Sequence, residues 1–145
     1  MKIYVDADGS PVVDISIAMA REYGLEIIVV KNHAHEIRSD YAHIVSVDIS
    51  KDSADFFIVN NIEKGDIVIT QDYGLAAMSL SKEAYPINQN GLLYTDQNID
   101  TMLNQRHIHA KLRREGKHHS KFSKRKPDLD STFSENLRSL IESQK

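Results

Sequence analysis

The chain has 145 residues, 41% of them hydrophobic and 27% charged, with a formal net charge of −3; this suits one domain, residues 1–145, built on a single core. It contains no cysteine, which excludes disulfides, thiolate metal sites and a cysteine nucleophile. No apolar run approaches the roughly 18 residues that span a bilayer, and the amino terminus lacks a basic, apolar and small-residue succession, so a soluble cytoplasmic protein is expected.

In chain order, residues 2–6 read as a strand. Ser10-Pro11 then offers a cap followed by proline at the first helical position, starting a helix that runs to Tyr23 and stops at Gly24. Ile27–Val30 is a continuous apolar run, as expected of a strand covered on both faces. Residues 32–42 read as loop, and a third strand follows at 44–47. Asp52-Ser53 caps a helix through Ile62, which Gly65 ends before a strand at 67–70. Residues 73–82 form a further helix, and Pro86-Ile87 a short strand. Asn90-Gly91 suits a tight turn that makes 92–94 a small hairpin or edge strand. Thr95 caps a helix over 96–114 that ends at Gly116, and 117–128 is a polar stretch closed by Pro127. A last helix over 131–143 carries Phe133, Leu137, Leu140 and Ile141 on one stripe, packing back on the body. Strands alternating with helices predict a three-layer α/β/α fold with a mostly parallel sheet and right-handed crossovers.

Two apolar, β-branched runs end in carboxylates: Ile3-Tyr4-Val5-Asp6-Ala7-Asp8 and Ile67-Val68-Ile69-Thr70-Gln71-Asp72. The carboxyl ends of neighbouring strands in an open α/β sheet share one crevice, so Asp6, Asp8 and Asp72 can converge there. Asp6 and Asp8, spaced i, i+2, project to one side of an extended chain. Asp55, one turn into the helix that precedes the second strand, can point at the same crevice, while Asp52 caps. Hard oxygen donors of this kind select Mg²⁺ or Mn²⁺. Without cysteine partners the seven histidines make a poor zinc set.

The small net charge conceals a segregation. Residues 1–105 hold 7 Lys and Arg against 16 Asp and Glu, whereas 106–126 hold 9 against a single acid. This basic arm points to a polyanion, most simply nucleic-acid phosphates, contacted by Lys111, Arg113, Arg114, Lys117, Lys121, Lys124, Arg125 and Lys126.

Several segments together resemble the YaiI/YqxD family of bacterial proteins: Val5-Asp6-Ala7-Asp8 with Pro11-Val12, Asp52-Ser53-Ala54-Asp55 with Ile58-Val59, Gly65 to Thr70, and Asp72 with Leu75-Ala76-Ala77. Gly91 with Leu93-Tyr94-Thr95, Asn98-Ile99, Arg106, Leu112-Arg113 and Gly116 extend the resemblance over most of the chain. That family's fold is similar to PIN-like (FEN-like) nuclease domains. The resemblance implies a first-strand aspartate at Asp6, a helix acid at Asp55 and a Thr-x-Asp-x-x-Leu segment at Thr70–Leu75. The chain departs from the family's pattern at Gly9-Ser10, where Ala-Cys is usual, and around Arg125-Lys126-Pro127, where a Gly-Gly-Pro stretch is usual.

The expected function is therefore phosphodiester hydrolysis, foremost of RNA, with Mg²⁺ or Mn²⁺ on Asp6, Asp55 and Asp72 and Asp8 as a further ligand or base. Two alternatives stand beside it. Asp6-Ala7-Asp8-Gly9-Ser10 resembles the haloacid-dehalogenase motif, in which Asp6 would be the nucleophile of a phosphatase. The same fold could also serve as a catalytically silent nucleic-acid-binding module. A homodimer is compatible with each.

Overall fold

A computed structural model describes residues 1–32, 36–50, 52–114 and 124–144, with the backbone alone for 106–114. Five strands, β1 (Lys2–Asp6), β2 (Glu26–Asn32), β3 (His43–Val47), β4 (Ile67–Ile69) and β5 (Tyr85–Ile87), form one sheet in the order β3-β2-β1-β4-β5. Every pairing between them is parallel. Parallel neighbours cannot be joined by a tight turn. Accordingly α1 (Val13–Tyr23), α2 (Ser53–Asn61) and α3 (Tyr73–Ser81) bridge three of the four crossovers, and α4 (Asp96–Arg114) and α5 (Pro127–Ser143) follow the last strand.

Alternation along the strands sorts side chains onto two faces. Ile3, Val5, Ile27, Val29, Ile67 and Ile69 pack with Met19 and Ala20 of α1 and with Phe133, Leu137 and Ile141 of α5. The intervening Tyr4, Val30 and Val68 pack with Ile58 of α2 and Leu75 of α3 on the other face. Ala76, Tyr94 and Ile99 join α3 to α4 in a third cluster. The molecule is thus an α/β fold with helices on both sides of a parallel sheet, as the alternating pattern predicts.

Element boundaries differ from the sequence-based expectation at several points. Ser10 does not hold the cap position of α1, which falls to Val12; Ser10 Oγ accepts the Val12 N–H at 3.4 Å, its N–H bonds the Ala7 carbonyl at 3.0 Å in a turn that leaves β1, and the helix begins at Val13. Asp52 holds the cap position of α2, but its side chain makes no capping bond. That helix ends at Asn61 with Ile62 as its cap, one residue before the expected end; Ile62 is extended and enters the core, and Asp66 Oδ2 accepts the Glu63 N–H at 2.9 Å. The expected hairpin at 92–94 reduces to a single antiparallel bridge, Ile87 to Leu93. The last helix starts at Pro127, not near 131. Proline needs no N–H partner at a first helical position, and Asp128 and Asp130 favour the positive end of the helix dipole. The predicted stop of α4 at Gly116 lies outside the described residues.

Candidate functional site

From β1 the sheet extends through β2 and β3 to one side and through β4 and β5 to the other. The strand order therefore reverses between β1 and β4, and ligands of open α/β sheets bind at the carboxyl edge of such a reversal. Asp6 ends β1, and Thr70-Gln71-Asp72 follows β4 directly. Alternation turns Asp6 and Thr70 to the face that α2 and α3 cover. Because α2 leaves β3 and α3 leaves β4, both helices start at this edge, and Asp55 lies in the first turn of α2.

Thr70 is the hub of the crevice. Its hydroxyl donates to Asp6 Oδ2 at 2.9 Å and accepts the Asp72 N–H at 2.9 Å. Its own N–H bonds the Ile87 carbonyl at 3.0 Å, and its carbonyl accepts the Tyr94 hydroxyl at 3.1 Å. Asp72 Oδ1 accepts the Leu75 N–H at 3.0 Å, capping α3. Asp8 is exposed and its Oδ1 accepts the Asn32 N–H at 3.3 Å. The Gln71 amide crosses the mouth to donate to the Gly9 carbonyl at 3.0 Å. Sequence reasoning singled out the acids but missed Tyr94 and Gln71 as supports. Only the packing of the 93–95 segment beneath β4 reveals the first.

Burial pushes the Asp6 carboxyl up to about 6, and the neighbouring charges of Asp72 and Asp8 push the same way against the hydrogen bond from Thr70. Asp6 Oδ1 has no hydrogen-bond partner among the described residues. A half-buried carboxylate next to two others is a favourable place for a cation. Among the described residues no three His, Cys, Asp or Glu side chains stand close enough to enclose an ion. An ion held by one or two carboxylates, with water and substrate oxygens completing its shell, is the usual habit of Mg²⁺, so the donor set fits that group.

The basic arm falls mostly outside the described residues: Lys117 and Lys121 entirely, and Lys111, Arg113 and Arg114 beyond their helical backbone. Lys124 and Lys126 are exposed. Arg125 is tied into the body. Its guanidinium donates to Asp130 Oδ1 at 2.8 Å, Asn90 Oδ1 at 2.8 Å and the Gln89 carbonyl at 2.7 Å.

Residues 4–143 match the family model described as "Uncharacterized BCR, YaiI/YqxD family". The chain belongs to the YaiI/YqxD family. Among its relatives, a UPF0178 protein of Alkaliphilus oremlandii (strain OhILAs) is 51% identical over 133 residues, covering 92% of this chain and 86% of the relative. A UPF0178 protein of Natranaerobius thermophilus is 48% identical over 141 residues, covering 97% and 96%. Among solved structures, Rae1 (YacP) from Bacillus subtilis, a W164L mutant, aligns over 99% of both chains at 18% identity with a TM-score of 0.44, a likeness too distant to bear on activity. Among the described residues of this YaiI/YqxD family member, no helix is long and apolar enough to cross a membrane.

Proposed function

We propose that this YaiI/YqxD family member is a metal-dependent phosphodiester hydrolase of nucleic acid, RNA foremost, with a PIN-like site. The observation that carries the proposal is Asp6: a carboxyl at the strand-order reversal, half-buried, raised to about 6 and flanked by Asp72 and Asp8. Among the described residues no cation offsets its ionised form, and a divalent ion would supply that charge.

Asp6 and Asp72 would hold the ion, while Asp55, in the first turn of α2, stands at the same edge of the sheet. The chemistry such an ion would supply there is a lowered pKa for water and an offset to charge on the phosphate. Thr70 keeps one Asp6 oxygen engaged, and the other would be the one to meet the ion. Asp8, exposed beside Asp6, would take a proton from the attacking water. Exposed cations at Lys124 and Lys126 draw a polyanion toward a body that is otherwise acidic.

The test is thermal unfolding with and without Mn²⁺, paired with cleavage of single-stranded RNA and DNA. A ligand that binds only the folded state raises the melting temperature. The rise and the cleavage should both disappear in Asp6→Asn and Asp72→Asn. An equal rise in wild type and variants would place the ion elsewhere and overturn the proposal. A phosphoryl group trapped on Asp6 would replace it with phosphatase chemistry.

A further inference from the structure

Tyr94 lies outside the carboxylate set yet is buried directly behind it, 3% exposed. It enters from the segment between β5 and α4, where its N–H bonds the Pro86 carbonyl at 3.0 Å. Its ring meets that of Tyr73 edge-on, with centroids 6.0 Å apart. Its hydroxyl reaches the Thr70 carbonyl at 3.1 Å, a buried bond that spans 24 positions of sequence. Burial and the charge of Asp72 both keep the phenol protonated, so it remains a donor.

The Thr70 carbonyl begins the peptide that turns the chain from β4 toward α3. Two residues on, the Asp72 N–H donates to Thr70 Oγ1, the same oxygen that donates to Asp6 Oδ2. A rotation of the Thr70–Gln71 peptide would swing Asp72 N–H away and release the hydroxyl that orients Asp6. The β-ladder does not resist that rotation, since β4 ends at Ile69 and only the Thr70 N–H is still paired, to Ile87. Among the described residues the carbonyl side is held by one group, the phenol.

We infer that Tyr94 is a positioning residue: by fixing the Thr70 carbonyl it sets the turn that holds Asp6 and Asp72 in register for a shared cation. This rests on the proposed metal site, and it predicts a dependence of that site on an element, the 93–95 segment, that contributes none of its carboxylates.

Tyr94→Phe tests it, since the ring and its packing remain and one hydroxyl is removed; Tyr85→Phe, whose phenol bonds Gln144 at 2.9 Å instead, is the control. Two measurements separate this inference from the metal proposal. In metal-free protein, hydrogen exchange of the Asp72 amide should quicken about tenfold in Tyr94→Phe, the worth of one hydrogen bond, while amides inside β1 and α3 keep wild-type rates. Unchanged Asp72 exchange overturns the inference whether or not any metal binds. Titration with Mn²⁺ should then show affinity weakened about tenfold or more in Tyr94→Phe and unchanged in Tyr85→Phe, as removal of a support behind a metal ligand does. Wild-type Mn²⁺ affinity in Tyr94→Phe also overturns it. A wild-type protein that binds no Mn²⁺ overturns the metal proposal instead, and the exchange measurement still decides the role of Tyr94.

Discussion

Asp6 carries the largest electrostatic strain at the candidate site, and its sign is testable. In the unfolded chain an aspartate titrates near 3.9, whereas burial together with Asp72 and Asp8 pushes it up to about 6 in the fold. The folded state therefore binds the proton more tightly, and metal-free stability should fall as pH rises from about 4 to above 6. The full penalty, reached above pH 6, is on the order of 3 kcal/mol. Asp6→Asn removes the ionisation while its amide oxygen can still accept from Thr70. Metal-free Asp6→Asn should thus be more stable than wild type at pH 7.5, by roughly 1–3 kcal/mol, and about equal near pH 4. Urea midpoints at the two pH values measure this; a variant no more stable at pH 7.5 would mean that the carboxylate is not held against its preference. A carboxylate held against its preference in the metal-free fold is the stability–function trade expected of a site.

Among the elements, α5 is docked rather than merely adjacent. Its Phe133, Leu137, Leu140 and Ile141 are buried against the β1 face of the sheet, as their spacing in sequence requires. Its other anchor is the 88–91 turn, where Asn136 Nδ2 donates to the Gly91 carbonyl at 2.9 Å. Gly91 has φ 89, and a Cβ built there would lie 2.9 Å from Asn136 Nδ2 and 3.0 Å from the Thr132 carbonyl oxygen. Gly65 has the same φ of 89 with nothing within 4 Å of its Cβ position. Both Gly→Ala changes meet backbone strain of roughly 1–3 kcal/mol. Gly91→Ala should cost distinctly more than Gly65→Ala, because only there must the helix also retreat. Equal denaturant midpoints for the two variants would show that α5 does not press on the turn.

Over the whole molecule, an acidic body carries a basic segment whose far end is pinned by Arg125 to Asp130, Asn90 and Gln89. Charge removal must respect that pin, because Arg125→Ala would unmoor the start of α5 as well as delete a cation. Lys121, Lys124 and Lys126 replaced together by Ala leave it intact. If they track phosphates, nucleic-acid affinity should fall and its log–log salt slope should shrink by about one unit for each phosphate no longer neutralised. Mn²⁺ binding at the aspartates should stay at the wild-type level. Unchanged affinity and slope in the triple variant would leave this stretch a solvated linker and exclude it from substrate binding.

Periodicity in the sequence determined a good deal. The apolar runs at 3–5, 27–30 and 67–69 each became a buried parallel strand, because an alternation-free β-branched run is stable only when covered on both faces. The stripe of α5 and the glycine stop of α1 were legible for similarly local reasons, and the acids that follow two apolar runs lie, as read, at the carboxyl edge of the sheet. What local pattern could not carry was any choice made by a partner distant in sequence. Ser10 and Asp52 look like caps, yet the cap position of α1 falls to Val12 and the Asp52 side chain makes no capping bond. Arg125 reads as one more cation in a basic run, and only the fold turns it toward the 88–91 turn. Thr70 and Tyr94 are 24 positions apart and meet only because β5 lies beside β4 and carries the following segment beneath its end. Strand order is itself decided by tertiary pairing, and the strand-order reversal that gives Asp6 and Asp72 a common crevice exists only once the sheet has assembled.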